Sequence, residues 1–300
     1  MGPAQAVKEE QGHGRRSPTS RIVRGVAVRV GLLAAALVGV RMTHIAESLF
    51  FYFPSPHAER TPDVYEDVFI DTPDGARLHG WFIPARDAGP GEKRPTILHA
   101  HGNAGNILGH EIFSAFLANH GFHVLVFDYR GYGRSSRQRL IRRSHLAIDT
   151  EAALDALLRR PDVDADRVGL YGVSLGAAPA LEVASRRGEA RAVAAVSPFS
   201  TWKGIAADHV PVLGPLLIGR GMDPVDLAPR LGDRPLLLVH GSNDSIVHPR
   251  HSDVIESAAR LAGVKVTKVL IRDGDHNAII ADHPDAQEAI ERFFRAVLGG

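Results

Sequence analysis

The chain has no cysteine among its 300 residues, which excludes disulfides, thiolate metal sites and a cysteine nucleophile together. The compartment stays open, because a cysteine-free chain tolerates oxidising and reducing surroundings alike. Net charge is equally scarce. Against 34 Asp and Glu stand 35 Lys and Arg, a formal +1, so no global field draws the chain to nucleic acid or another polyanion. A long membrane-spanning run is also lacking: Val30–Val40 is uncharged but shorter than the roughly 20 apolar residues that a full span requires. What is present is a hydrophobic content of 44%, enough for one large core or for a domain with an appendage.

The charge is uneven at the N-terminus. Lys8, Arg15, Arg16, Arg21, Arg24 and Arg29 face only Glu9 and Glu10 within the first thirty residues. Residues 1–21, rich in Gly, Pro, Ser and Gln, read as a disordered basic tail. Three readings compete for residues 22–48. The first is a single-pass membrane anchor, basic side in the cytoplasm and the remainder outside, with Arg29 snorkelling toward the head groups. The second is a cleaved signal peptide, which would make the protein secreted. The third is a helix of a cytoplasmic, soluble protein.

Residues 49–300 read as one domain. It opens on the aromatic cluster Leu49-Phe50-Phe51-Tyr52-Phe53-Pro54, expected to pack on the domain edge, with membrane contact as the alternative. Glu66–Ile70 and Arg77–Ile83 are β-rich runs around the turn Thr72-Pro73-Asp74-Gly75, and read as a hairpin. Six further strands are expected at Thr96–His101, His123–Asp128, Val168–Gly172, Ala192–Ser197, Leu236–Gly241 and Thr267–Ile271. Most are nearly continuous apolar runs, as in a parallel sheet covered on both faces. Helices are expected at Ile107–His120, His145–Arg160, Leu175–Arg187, Arg250–Leu261 and Pro284–Leu298. The class is therefore α/β, with a mostly parallel, doubly wound sheet of eight strands. Residues 199–234 break the alternation and leave from a strand's carboxyl end, where a small lid over a ligand crevice belongs.

Gly172-Val173-Ser174-Leu175-Gly176 fits G-x-S-x-G, a pattern that chance produces often. Here it follows an apolar strand and opens an Ala-rich helix, the context in which a serine is presented as a nucleophile. A serine hydroxyl needs a base. Among 16 histidines His276 is singled out by its place in the loop after the last strand. The acid that orients it should follow the preceding strand, which selects Asp244, with Asp273 and Asp275 as rivals beside His276. An oxyanion hole needs two donors: the N–H of Leu175 and one from the loop His101-Gly102-Asn103-Ala104-Gly105-Asn106, with Asn103 expected. His101 is expected to hold that loop, and Asp128 is expected to pair with Arg130 to fix the surrounding loops. Phe199 and Trp202 are the candidate substrate-binding residues. Val210–Ile218 reads as an acyl-binding wall or as the lid's own small core. No H-E-x-x-H occurs and the His and Asp of 240–251 lack ligand spacing, so no metal and no cofactor is expected.

Six stretches in this order, Tyr52-Phe53-Pro54, His101–Asn106, Asp128–Ser135, Gly172–Gly176, His240–Asp244 and Gly274–Asn277, make the chain from about residue 50 resemble the α/β-hydrolase superfamily, and within it the Bem46-like group. Val173 departs from the aromatic or glutamine-like residue that related proteins often carry, which alters the pocket floor. The resemblance implies an N-terminal membrane anchor and hydrolysis of small-molecule or lipid-like esters or thioesters through an acyl-enzyme. A serine peptidase of prolyl-oligopeptidase type shares the triad, and a non-catalytic interaction protein could use the same scaffold. A haloalkane dehalogenase is excluded, since it needs a carboxylate where Ser174 stands.

Overall fold

Strands covered on both faces must be apolar at successive positions, and the sequence supplies this where the sheet is deepest. The computed structural model describes residues 18–55 and 60–299. Its sheet holds β1 Glu66–Asp71, β2 Arg77–Ile83, β3 Arg94–Ala100, β4 His123–Asp128, β5 Val163–Val173, β6 Ala190–Val196, β7 Leu236–Gly241 and β8 Val266–Ile271. Every residue of β4 and β7 is buried. The spatial order is β1-β2-β4-β3-β5-β6-β7-β8. The antiparallel pairs are β1–β2 and β2–β4, and every later pair is parallel.

The helices are α1 Pro18–Thr43, α2 Ile45–Phe51, α3 Ile107–His110, α4 Arg143–Leu158, α5 Ala177–Arg186, α6 Trp202–His209, α7 Leu213–Leu217, α8 Pro224–Leu227, α9 Arg250–Leu261 and α10 Pro284–Leu298. One face of the sheet is packed with Leu146, Leu154, Leu181 and Leu227 from α4, α5 and α8. The other holds Phe113, Leu117, Ile290 and Phe294. Contact there is close: a Cβ on Gly169 of β5 would lie 2.6 Å from the Phe294 ring.

Two expectations change. The helix expected over Ile107–His120 is a single α-turn, α3, followed by 3₁₀ segments at Glu111–Phe113 and Ala115–His120. Ser114 breaks it, at φ −137°, because its side chain is drawn into a buried hydrogen bond 2.8 Å from His99 Nδ1. At the other end of the chain, the expected disordered tail lies outside the described residues up to 17, while its last positions, from Pro18, are helical. Among the described residues no single helix is long and apolar enough to cross a membrane. Val26–Val40 and α2 reach that length and composition only together, across a 60° bend.

Candidate active site

Ser174 stands where β5 gives way to a 3₁₀ turn, Ser174–Gly176, that leads directly into α5. Its φ is +52°, a conformation that L-residues avoid and that the surroundings must hold in place. The flanking glycines are enforced by backbone approach. A Cβ at Gly176 would lie 1.9 Å from the Ala100 carbonyl oxygen, and one at Gly172 would lie 2.5 Å from Ala177 Cα. Sheet and helix thus close around the serine, and α5 turns its amino end toward it.

The turn after β7 carries Asp244. One carboxylate oxygen accepts from the N–H groups of Ile246, 3.0 Å, and Val247, 2.8 Å. The other lies 2.7 Å from His276 Nδ1 and 3.3 Å from His240 Nε2. Burial alone would raise its pKa, but the hydrogen bonds from His240 and His276 outweigh burial and hold the carboxyl well below the usual range. An ionised Asp244 places the proton of His276 on Nδ1. Nε2 is then free to accept from the Ser174 hydroxyl, 3.0 Å away. The rival carboxylate of Asp275 is turned to the N–H groups of Asn277 and Ala278, both at 2.8 Å, and Asp273 is exposed, so the carboxylate bonded to His276 is that of Asp244.

Leu175 and Asn103 line the same cavity as Ser174 and His276. The Asn103 side chain is turned away to accept from the N–H groups of Ala104 and Phe53, at 2.7 and 3.2 Å. Gly105 exchanges backbone hydrogen bonds with Phe53 and Ser55, so the loop is zipped to the segment after α2. Ala104 at φ +65° is kept in place by His110, whose Nε2–H donates to its carbonyl at 2.8 Å. His110 stacks on His101 at 4.8 Å, and His101 Nδ1–H donates to the Gly102 carbonyl at 2.7 Å. Burial pushes the pKa of both rings down, so both stay neutral donors.

Two expectations about side chains are corrected. Arg130 does not pair with Asp128. Its guanidinium bridges the buried Asp149, at 2.6 and 2.9 Å, and Asp74, at 2.6 and 2.8 Å. β4 ends at Asp128, so the two side chains no longer share a strand face. Asp128 instead accepts from the Ile107 N–H at 2.9 Å, with His101 and His79 nitrogens 3.7 and 3.9 Å away. Trp202 does not line the cavity. It is fully buried between Phe199, Phe51 and the Arg143 guanidinium, and its indole N–H donates to the Met222 carbonyl. Phe199, in front of it, does line the cavity.

The cavity encloses about 540 Å³, the size of a small-molecule site. Its wall is mainly Leu49, Phe50, Phe51, Phe53, Phe113, Val173, Phe199, Ile205 and Ile246. The aromatic cluster after α1 is therefore part of the site as well as of the domain edge. Among the described lining residues none is Asp or Glu. Of Val210–Ile218, only Gly214 and Ile218 are buried and none lines the cavity, so the segment is no acyl-binding wall; Gly214 instead packs closely on Ala206 of α6.

Residues 91–220 match the sequence family described as serine aminopeptidase, S33. The uncharacterized protein YfhR of Escherichia coli K12 is 36% identical over 238 residues, 78% of this chain and 81% of its own. The α/β hydrolase domain-containing protein WAV2 of Arabidopsis thaliana is 30% identical over 232 residues, 71% of this chain and 72% of its own. Protein bem46 of Schizosaccharomyces pombe is 27% identical over 235 residues, covering 72% and 76%. The chain belongs to the Bem46-like α/β hydrolases. Among solved structures, the Pyrococcus furiosus esterase Pf2001 superposes with a TM-score of 0.70 at 20% identity, over 83% of this chain and 98% of that one. The Pyrococcus horikoshii acylaminoacyl peptidase gives 0.64 at 20% identity, over 78% of this chain and 42% of that one. Both show the hydrolase fold. Within this fold the sequence reading missed His110, His209, Ile246 and the Leu49–Phe53 wall. An aromatic cluster directly before Pro54 was the available signal for the last.

Proposed function

We propose that this hydrolase cleaves carboxylic esters or thioesters by a two-step acyl transfer, with Ser174 as nucleophile, His276 as base and Asp244 as the residue that orients it. The observation that carries the reading is the unbroken relay Asp244–His276–Ser174, at 2.7 and 3.0 Å, opening on an apolar cavity. His276 Nε2 takes the Ser174 proton as Oγ attacks the substrate carbonyl. The N–H groups of Leu175 and Asn103 receive the oxyanion, each such donor supplying about 2.7–4 kcal/mol. His276 then protonates the leaving group, and a water deprotonated by the same nitrogen releases the acid.

The family description and several structural neighbours carry the word peptidase. A site that grips a peptide amine needs an acidic side chain, and no described lining residue supplies one. A cavity with an aromatic wall and no carboxylate among its described lining residues favours an acyl chain. The test is labelling by a fluorophosphonate, followed by nitrophenyl esters of rising chain length. Labelling that survives Ser174→Ala would overturn the assignment. A protein that labels with nothing and turns over no ester is an interaction protein on a hydrolase scaffold.

A further inference from the structure

Exposed apolar side chains are scattered over this molecule, Phe69, Leu261 and Leu270 among them, but one group of them begins at the mouth of the Ser174 cavity. Leu49 and Phe53 are walls of the Ser174 cavity and are 70% and 55% exposed. Across the mouth, Ile246 also both lines the cavity and is exposed, and its carbonyl accepts from His209 Nε2 at the end of α6. The chain leaves His209 directly into Val212 and Leu213, 74% and 59% exposed, and Leu216 on α7. α7 packs against α1, whose Val30, Leu32, Leu33 and Val38 are all exposed. Exposed apolar side chains thus recur from the cavity rim through α7 to α1, a concentration that marks an interaction surface.

Length decides what kind of surface it meets. Val30–Val40 has no charged residue. At 1.5 Å per residue it covers about 16 Å, roughly half of a bilayer's hydrocarbon core. α2 cannot supply the other half, because its Glu47 is buried and bound to Arg143 Nη2 at 2.8 Å and to the Tyr52 hydroxyl at 3.0 Å. The sequence before Val30 carries Lys8, Arg15, Arg16, Arg21, Arg24 and Arg29 against two acids, a charge that suits anionic head groups. We propose that the cavity mouth, α7 and the apolar stretch of α1 form one face that rests in a single leaflet of a phospholipid bilayer. The acyl substrate then enters the Ser174 cavity from the lipid. The entry route rests on the serine-hydrolase reading; the surface does not.

The absence of cysteine allows a direct test on the full chain. Leu213→Cys and, separately, Leu261→Cys are labelled with an environment-sensitive nitrobenzoxadiazole dye. Leu261 is exposed at the end of α9, at the opposite, amino edge of the sheet. With vesicles of equal parts phosphatidylcholine and phosphatidylglycerol, emission from position 213 shifts to the blue and that from 261 does not. No shift at 213, or equal shifts at both, overturns the proposal. So does a shift at 213 that follows protein concentration without vesicles, which would mark self-association. A second arm uses the combined Val212→Glu, Leu213→Glu and Leu216→Glu variant. It loses roughly tenfold or more on a long-chain ester carried in vesicles, yet stays within about twofold on a short soluble ester. Equal activity on both substrates overturns the entry route. Loss of soluble turnover in the unmodified chain would count against the hydrolase reading alone, and the dye would still decide the surface.

Discussion

Replacing Asp244 by asparagine exchanges one carboxylate oxygen for an amide nitrogen and leaves the volume almost unchanged. The amide oxygen can keep the backbone N–H groups of Ile246 and Val247, now 3.0 and 2.8 Å from the carboxylate. Its NH₂ must then face His276 Nδ1, at a position now 2.7 Å from an acceptor. Two donors cannot share that contact, so the imidazole adopts the tautomer with its proton on Nε2. That nitrogen can no longer take the Ser174 proton across 3.0 Å. The same tautomer error in a serine protease lowers turnover about 10⁴-fold, and a fall of about 10³–10⁴ is expected here. At 1.36 kcal/mol per decade this is a loss of about 4–5.5 kcal/mol of transition-state stabilisation. The assay is kcat/KM on a short nitrophenyl ester, with urea unfolding to show that the fold survives. Asp275→Asn serves as the control, because its carboxylate only closes a turn onto Asn277 and Ala278. If Asp244→Asn stays within about tenfold of the unmodified enzyme, or if Asp275→Asn costs as much, the relay is wrongly assigned.

Other expectations concern the scaffold. Arg130→Met leaves the fully buried Asp149 without its cation and should cost about 3–5 kcal/mol in urea unfolding; a loss below about 1 kcal/mol would contradict the bridge. Gly176→Ala drives a Cβ into the Ala100 carbonyl and should cost about 3 kcal/mol or more, whereas Gly188→Ala meets no atom within 4 Å and should change stability little. Burial holds His99 well below the ordinary value of 6.5, so the unfolded chain takes up its proton first as pH falls. The neutral ring therefore contributes stability above 6.5 that is lost below it. Between pH 6.5 and 5.5 the unmodified protein should lose about 1 kcal/mol relative to His99→Gln, and parallel pH dependence of the two would contradict this.

The strands were legible because double burial writes itself as an apolar run: His123–Asp128 and Leu236–Gly241 are expected and observed over the same residues. Gly172 and Gly176 were legible for a related reason, since only a missing Cβ admits the approach of Ala177 and Ala100. What escaped the sequence depends on distant partners. The Phe53 N–H finds Asn103 fifty positions on, which turns an edge cluster into a cavity wall. Arg130 passes over Asp128, two positions away, for Asp74 and Asp149. Trp202 had the composition of a binding residue, but Met222 and Arg143 claim it for the interior. His110 is one of 16 histidines, and nothing in its neighbours announces the carbonyl it holds.

The most direct test of the account is to trap the acyl-enzyme. Protein quenched in acid during turnover of a nitrophenyl acyl ester is digested and its peptides weighed by mass spectrometry. The account predicts an acyl adduct on Ser174 in the unmodified chain and none in Ser174→Ala, which should also lose turnover. An adduct on another residue, or turnover undiminished in Ser174→Ala, would contradict it.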